Sequence, residues 1–550
     1  MPDLKKRMGA LLASFLIFQL VTGCSTAQPT ATDNKGTEAP KTETAKAKEM
    51  VLNWNADGGE PPTADPGLAS DGTSFDVITA CFEGLTRYGT DGKIAGAMAE
   101  TYSVSPDMLT YTFQLKKDAL WSNGDPVTAH DFEFAWKRNL DPQTGSEYAY
   151  MLYFIKGAEE FNTGKGSKDG VGVKAIDDHT LEVKLNSPAP FFYELTAFPT
   201  LFPLHKKTVE TNPAWAASPE NYIGNGPFRM ETWEHKNKLV LVKNDNYHDK
   251  GAVKLDKIVW SMITDTNTAQ ALFDSGDLDW GGHPTYTLPV DLLQSLHDEG
   301  KIVLDPYPNT VAVTFNTTKP PFTNKKVRQA FSYAIERQPL VDGIVMPGVP
   351  AAYAWVPPSM KLSGNDYFRE DSAKAKQLLA EGLKELGLTT MPEFTFSYGT
   401  GDDRQKKLAE ALQDQWKKNL GVEVKISGLE EKVFLQNKRS KNYQFAYRNW
   451  GADFNDPINF LEIFKDKTVG TNDAAWENEQ YRKLIVDSYL ELDTAKRNAI
   501  MQQAEQILMD EMPIAPIYYG VRPYIQNDKV KGLLLNPFGG RDFKYTTVEK

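Results

Sequence analysis

The chain is 550 residues long, 41% hydrophobic and 11% aromatic, with 61 basic against 73 acidic side chains and a net charge of −12 at pH 7. Such a length holds roughly two to four domains around a large core. The acidic balance, with no cationic stripe beyond the first seven residues, argues against a nucleic-acid partner and against any electrostatic pull of the globular part toward anionic lipid.

The N-terminus reads as an address. Lys5-Lys6-Arg7 is positive, and 8–21 is almost wholly apolar. That run is shorter than the ~20 residues of a spanning helix and has the form of a signal segment. Val21-Thr22-Gly23-Cys24 resembles the bacterial lipobox. The resemblance implies removal of a signal peptide over 1–23 and a diacylglycerol on the Cys24 sulfur. The expected protein is then a bacterial lipoprotein on the extracellular face of the cell membrane, held by its N-terminal lipid only. Cys81 is the one other cysteine, so no disulfide framework is expected, and Cys81 reads as a small buried hydrophobe. Residues 24–48 carry the lipidated cysteine and then Thr, Ala, Lys, Glu and Pro without an aromatic, the composition of a flexible tether.

A strand over 50–54 opens the folded part, and Phe75, Ile78, Phe82 and Leu85 predict a helix over 74–85. Strict alternation predicts strands over 110–115 and 180–185. Between them, Thr128 with Asp131 three residues on approximates a capping box for a helix with Phe132, Ala135 and Trp136 on its apolar face. Further strands are expected at 239–242 and 258–260, with helices at 266–275 and 290–297. From 310 onward strands and helices alternate: helices over 324–338, 371–386, 404–419 and 432–438, with strands at 393–398 and 422–426 and around Tyr443, Phe445 and Tyr447. That order argues for an α/β layered domain. Helices at 478–492 and 494–511 and a strand at 514–519 close the chain.

Enzymatic signatures are lacking. The seven histidines form no H-E-x-x-H pair, no G-x-S-x-G elbow exists, and Tyr398-Gly399-Thr400-Gly401 lacks the third glycine of a dinucleotide loop. His130-Asp131 is better explained by capping than by a catalytic dyad. No enzyme activity, metal or cofactor is expected.

One stretch does carry chemistry. In Tyr447-Arg448-Asn449-Trp450-Gly451-Ala452-Asp453-Phe454-Asn455-Asp456-Pro457 an aromatic strand meets a small-residue corner and then an acidic turn. This can hold one carboxylate beside open backbone groups, an arrangement suited to an extended ligand with a free amino group.

Four stations in order resemble the extracytoplasmic solute-binding proteins of family 5. They are Phe82-Glu83-Gly84-Leu85 with Trp121 to Phe132, Gly224-Asn225-Gly226-Pro227-Phe228, Lys326 to Ile335, and Trp450 to Pro457, the last like the oligopeptide-binding branch. The resemblance implies an α/β, two-lobed periplasmic-binding-protein-like fold (type II, Venus-flytrap) with an extra α+β subdomain on the first lobe. Lobe I would take 49–85, 200–305 and 515–550, the subdomain 86–199, and lobe II 306–514. It also implies a monomer that captures short oligopeptides and passes them to the permease subunits of an ABC importer.

Within that family the position of Asp453 pairs with the peptide α-ammonium, a charge-assisted contact independent of peptide side chains. By the same resemblance Asn449, Gly451 and Ala452 supply one backbone edge and Ser70, Asp71 and Gly72 the other, with the peptide lying as an added strand. Trp450, Tyr148, Tyr518 and Tyr519 are the aromatic candidates. Arg404, Lys438 and Arg448 are candidates for the peptide carboxylate. The chain departs from the pattern at Ser70, where relatives carry an acid, at Glu431, where a tryptophan is expected, and at Arg448, displaced from an arginine position. Dipeptide, oligosaccharide or metal-chelate ligands and pheromone sensing are the alternatives within the class. A secreted hydrolase is the rival outside it.

Overall fold

A computed structural model describes residues 49–549 except 57–58, 363–365 and 537–539. The signal, Cys24 and the tether lie outside the described residues. Three sheets organise the rest.

The first sheet has Val51–Asn55 parallel to Lys257–Ser261, followed antiparallel by Lys238–Lys243 and Phe228–Glu234. Trp54 and Trp260 alternate inward from adjacent strands and meet edge to face at 6.2 Å, and Phe543 from the C-terminal segment closes on Trp54 at 5.1 Å. The helix expected over 74–85 is Gly72–Cys81. It starts early because the Asp71 carboxylate accepts from the Ser74 N–H at 2.9 Å, an N-cap. It stops at Cys81 because a glycine corner presses on its end. Gly226 N–H donates to the Cys81 carbonyl at 2.8 Å, and a Cβ on Gly224 would lie 2.0 Å from that oxygen. Asn225 then binds both the N–H and the carbonyl of Glu83, at 2.9 and 3.0 Å. Two of the sequence stations are thus one packing contact. Burial pushes the Cys81 thiol pKa far up, in keeping with an inert core group.

The second sheet orders Ala99–Val104, Thr110–Leu115, Thr180–Lys184 and Val173–Asp177, all antiparallel. Helix Ala129–Asn139 packs on it through Phe132 and Trp136, and the Thr128 N–H donates to the Asp131 carboxylate at 2.8 Å.

The third sheet has six strands, in the order Trp280–Gly282, Ile514–Gln526, Val303–Phe315, Phe445–Gly451, Thr395–Gly399 and Lys425–Leu429. Its two long strands each run 13 residues, much further than the sequence pattern indicates. Pro306, Pro308, Pro516 and Pro523 hide them, since proline demotes a strand. The pairing absorbs the prolines by slipping register between Pro306 and Thr310 and again between Val311 and Ala312. The single helix expected over 324–338 is two, Lys325–Tyr333 and Arg337–Ile344. A Pro339 ring inside a continuous helix would collide with the Ile335 carbonyl. The buried Arg337 guanidinium fills the break, donating to the carbonyls of Ser332 and Ile335 at 3.1 Å and of Pro516 at 2.7 Å. Among the described residues no helix is long and apolar enough to cross a membrane.

Candidate functional site

The strand Phe445–Gly451 is paired along its length with Val303–Phe315, from Phe445 opposite Phe315 to Gly451 opposite Asn309. On its other side Thr395–Gly399 pairs only with Phe445 and Ala446. From Tyr447 onward no strand among the described residues pairs with that edge, so alternate backbone groups there can accept an incoming chain. Gly451 gives room to Tyr307, whose hydroxyl would lie 2.7 Å from a Cβ there and would have to shift.

Beyond the strand, the chain is pinned into a turn. Ala452 N–H donates to the Pro308 carbonyl at 2.8 Å. The Asn459 side-chain oxygen accepts from Asp453 N–H at 3.2 Å and from the Trp450 indole at 3.3 Å. Asp456 is structural: it accepts from Ile458 N–H at 2.9 Å and takes both Nη atoms of Arg497, at 2.5 and 2.8 Å. Asp453 is therefore the carboxylate of this turn that has no cation partner among the described residues. Its burial raises its pKa above the ordinary aspartate value, and side-chain hydrogen bonds from Tyr150 and Asn459 partly offset this. A half-buried carboxylate with hydrogen-bond donors but no counter-charge can receive a cation.

Tyr148 belongs to the same corner. Its ring stacks on Tyr150 at 5.6 Å and packs against Phe75 and Phe198 at 5.8 and 5.3 Å. Gly72 is exposed and nothing lies within 4 Å of where its Cβ would be. Ser70 is exposed as well, while the Asp71 carboxylate is engaged as the helix cap.

A second group lies on the strand's other flank. Arg404, Asn449, Tyr447 and Tyr518 line a cavity of about 190 Å³. Arg404 is 64% exposed there and pairs with Asp402 at 2.9 Å. The Asn449 carbonyl oxygen of the side chain accepts from Asn309 at 2.7 Å. The other cation candidates sit elsewhere. Arg448 and Lys438 are buried and share Asp473, at 2.6 and 3.1 Å, and these cations hold the Asp473 carboxyl below its ordinary pKa against the opposing effect of burial. Tyr519 is turned into the core, where its hydroxyl accepts from Ala354 N–H at 3.1 Å.

Tyr150 and Asn459 escaped the sequence reading. Their signals are faint. Tyr150 follows Tyr148 by two in a short turn, and Asn459 is the one polar residue in the run Ile458-Asn459-Phe460-Leu461. Among the described residues no cluster of His, Cys, Asp and Glu could hold a metal ion.

Residues 93–472 match the family model of the bacterial extracellular solute-binding proteins, family 5. The chain belongs to that family. Family 5 consists of solute-binding transport proteins, and its two-lobed α/β fold is the fold of this chain. The oligopeptide-binding protein OppA of Bacillus subtilis is 43% identical over 96% of this chain and 97% of its own length. The dipeptide-binding protein DppE of the same organism is 38% identical over 99% of both chains. Among solved structures, the unliganded open form of the murein tripeptide-binding protein MppA is 31% identical and superposes with a TM-score of 0.81, covering 91% of this chain and 98% of that one. Peptide-bound OppA of Listeria monocytogenes is 34% identical with a TM-score of 0.69, covering 92% and 100%. Set within this family-5 frame, the Phe82–Leu85 and Gly224–Phe228 stations are architecture.

Proposed function

We propose that this protein captures short oligopeptides between two closing lobes and delivers them to the permease subunits of an ABC importer. The observation that carries the reading is Asp453: a half-buried, desolvated carboxylate, held by neutral donors and with no cation partner among the described residues, at the end of a strand whose outer edge is open from Tyr447. A peptide α-ammonium supplies the missing charge, and the peptide backbone supplies the missing strand. Gly451 and Asn449 would offer backbone groups on one side and Ser70 to Gly72 on the other. The Ala452 N–H is already used by Pro308, which leaves its carbonyl for the ligand.

Lobe I is read as 49–85, 200–305 and 515–550, carrying the first sheet, with the second sheet as its subdomain over 86–199. Lobe II is 306–514. The two long strands of the third sheet then run from one lobe to the other as a hinge. The better superposition on an unliganded open relative than on a peptide-bound one supports an open cleft in this conformation. Of the three cations, Arg404 is the accessible one, and it is the preferred partner for the peptide carboxylate. Dipeptides are the second reading, favoured by the 38% identity to a dipeptide-binding protein. The same Asp453 would serve either ligand.

The functional test is native mass spectrometry of the fragment beginning at residue 49, purified without refolding. Adducts that fragment into short peptides establish the class and the length range. A clean apo mass, with no thermal stabilisation by a peptide mixture, overturns the peptide reading. Anchoring through a lipid on Cys24 is a separate proposal. Cys24→Ala should move the protein from the membrane fraction to the medium, and persistence in the membrane fraction would argue against it.

A further inference from the structure

The turn that carries Asp453 touches parts of the chain that the lobe reading above places on opposite sides of the cleft. One face of the turn continues the strand Phe445–Gly451 and belongs to 306–514. The other face meets the 86–199 subdomain. Asn455 Nδ2 donates to the Glu194 carboxylate at 2.8 Å, and Tyr88 Oη donates to the same oxygen at 2.8 Å. Phe454 stacks on Phe191, with ring centres 4.6 Å apart and 16° between the planes, and meets Phe154 edge to face at 6.0 Å. The Arg497 guanidinium, which binds Asp456, lies 6.0 Å from the centre of the Phe191 ring. Tyr150 of the subdomain hydrogen-bonds Asp453 itself.

The far flank of the strand is built differently. Every residue lining the cavity around Arg404 falls between Tyr307 and Val521, so the first sheet and the 86–199 subdomain contribute nothing there. This is the conformation that superposes better on an unliganded open relative than on a peptide-bound one. The cleft is thus joined at the Asp453 end while it stands open at the Arg404 end. Parting Phe454 from Phe191 would wet two buried rings. Withdrawing Asn455 would leave a desolvated carboxylate short of a donor. A rotation that keeps this contact costs less than one that breaks it.

We propose that Glu194, acting through Asn455, is a positioning residue that fixes the Asp453 turn to the subdomain before any ligand arrives, and that the lobes close by turning about this joint. On the two-lobed peptide-receptor reading, on which this rests, the long strands of the third sheet give the rotation one support and the Glu194–Asn455 joint gives it the other. Tyr148, Tyr150 and Asp453 then form a finished corner in the ligand-free receptor. The peptide amine enters a site that needs no assembly, and the Arg404 half of the cleft swings in afterwards. An amino-end site assembled in advance loses none of its affinity to the ordering of its own groups.

The test locks the joint. Glu194→Cys and Asn455→Cys are placed together in the full chain carrying Cys24→Ala, where Cys81 is buried, and are bridged by a short bis-maleimide. Bridged and unbridged protein should bind tetra-alanine with affinities within about twofold of each other and contract equally on binding in small-angle X-ray scattering. A bridged protein that binds more than about tenfold more weakly, or that no longer contracts, shows that the joint parts during closure and overturns the proposal. Nitroxide pairs at exposed positions decide the matter if the double variant does not fold. With tetra-alanine, the distance between labels on Glu147→Cys and Lys467→Cys, beside the joint, should change little. The distance between labels on Leu68→Cys and Lys407→Cys, across the cleft, should shorten. Equal shortening of both pairs, or of neither, overturns the joint. In stopped flow, Glu194→Ala should slow the association of tetra-alanine, and Glu194→Gln, which still accepts through its amide oxygen, should restore it. An unchanged association rate in Glu194→Ala removes the positioning role. Failure of the unmodified protein to bind any peptide overturns the receptor reading instead.

Discussion

Asp453 and Arg404 flank the same strand, and their surroundings differ in kind. Asp453 is half-buried, its carboxylate held by Tyr150 and Asn459 and its backbone by Asn459 again. Arg404 is 64% exposed and rests on Asp402 two residues away, the N-cap of its own helix. The first group is fixed by Asn459 of its own turn and by Tyr150 from far upstream, and cannot move without undoing the turn. The second sits on a long side chain whose present partner is a solvent-screened neighbour. On the proposed peptide reading, such a receptor would register its ligand from the amino end and tolerate variation at the carboxyl end. Strength is concentrated where the charge is desolvated and preorganised, and adaptability is placed where an exposed ion pair contributes little.

The most direct way to break the contrast is Asp453→Ala. If the carboxylate is the fixed anchor, the variant leaves a peptide ammonium buried without a partner, a loss of about 3–5 kcal/mol in binding. Calorimetry with any tightly bound peptide measures it, and an unchanged affinity would remove Asp453 from the site. Arg448→Met sharpens the contrast from the opposite side. Arg448 is buried against Asp473 and shares it with Lys438. Its removal should cost about 3 kcal/mol of folding stability, seen as a lower urea midpoint, with peptide affinity of the folded protein retained. Weakened binding at unchanged stability would instead make Arg448 the carboxylate's partner.

A third measurement uses pH. Burial raises the Asp453 pKa in the ligand-free protein, so its proton leaves at a higher pH than from an ordinary aspartate. The ammonium needs the ionised carboxylate. Affinity should therefore hold at neutral pH and fall as pH drops through the raised pKa, by about tenfold for each further unit. The loss should begin above the ordinary aspartate value of about 3.9. Asp453→Asn should flatten this limb. An identical acid limb in that variant would assign the titration to another group.

Much of this was legible in the residues, and the limits have physical causes. Local periodicity located the helices Asp403–Leu420 and Thr494–Glu511 to within a residue, because each is long and has clear ends. The two long strands of the third sheet were hidden by prolines whose cost is met by register slips, which only the partner strand reveals. At the site, Asp453 stood out through its turn and through the family resemblance. Tyr150 comes from about 300 residues upstream, and nothing local marks it as the Asp453 partner. Arg448 and Lys438 read from sequence as cations near a binding strand. The structure gives them Asp473, which lies 25 residues beyond Arg448 and carries no signal of that role.

The smallest expected effect is the one that decides how the carboxyl end works. Arg404→Ala should lower peptide affinity by no more than about 1 kcal/mol, because the side chain is exposed and trades one ion pair, with Asp402, for another. The loss should depend on length. A peptide whose C-terminus reaches the cavity shared by Arg404, Asn449 and Tyr518 should feel it, and a shorter one should not. Calorimetry on a series of alanine peptides differing only in length would show a step at one length. The same series with a C-terminal amide should lose the step in the unmodified protein, since the guanidinium then faces no charge. A uniform loss across all lengths would mean that Arg404 supports the cleft wall rather than the ligand, and the carboxylate would then be left to solvent.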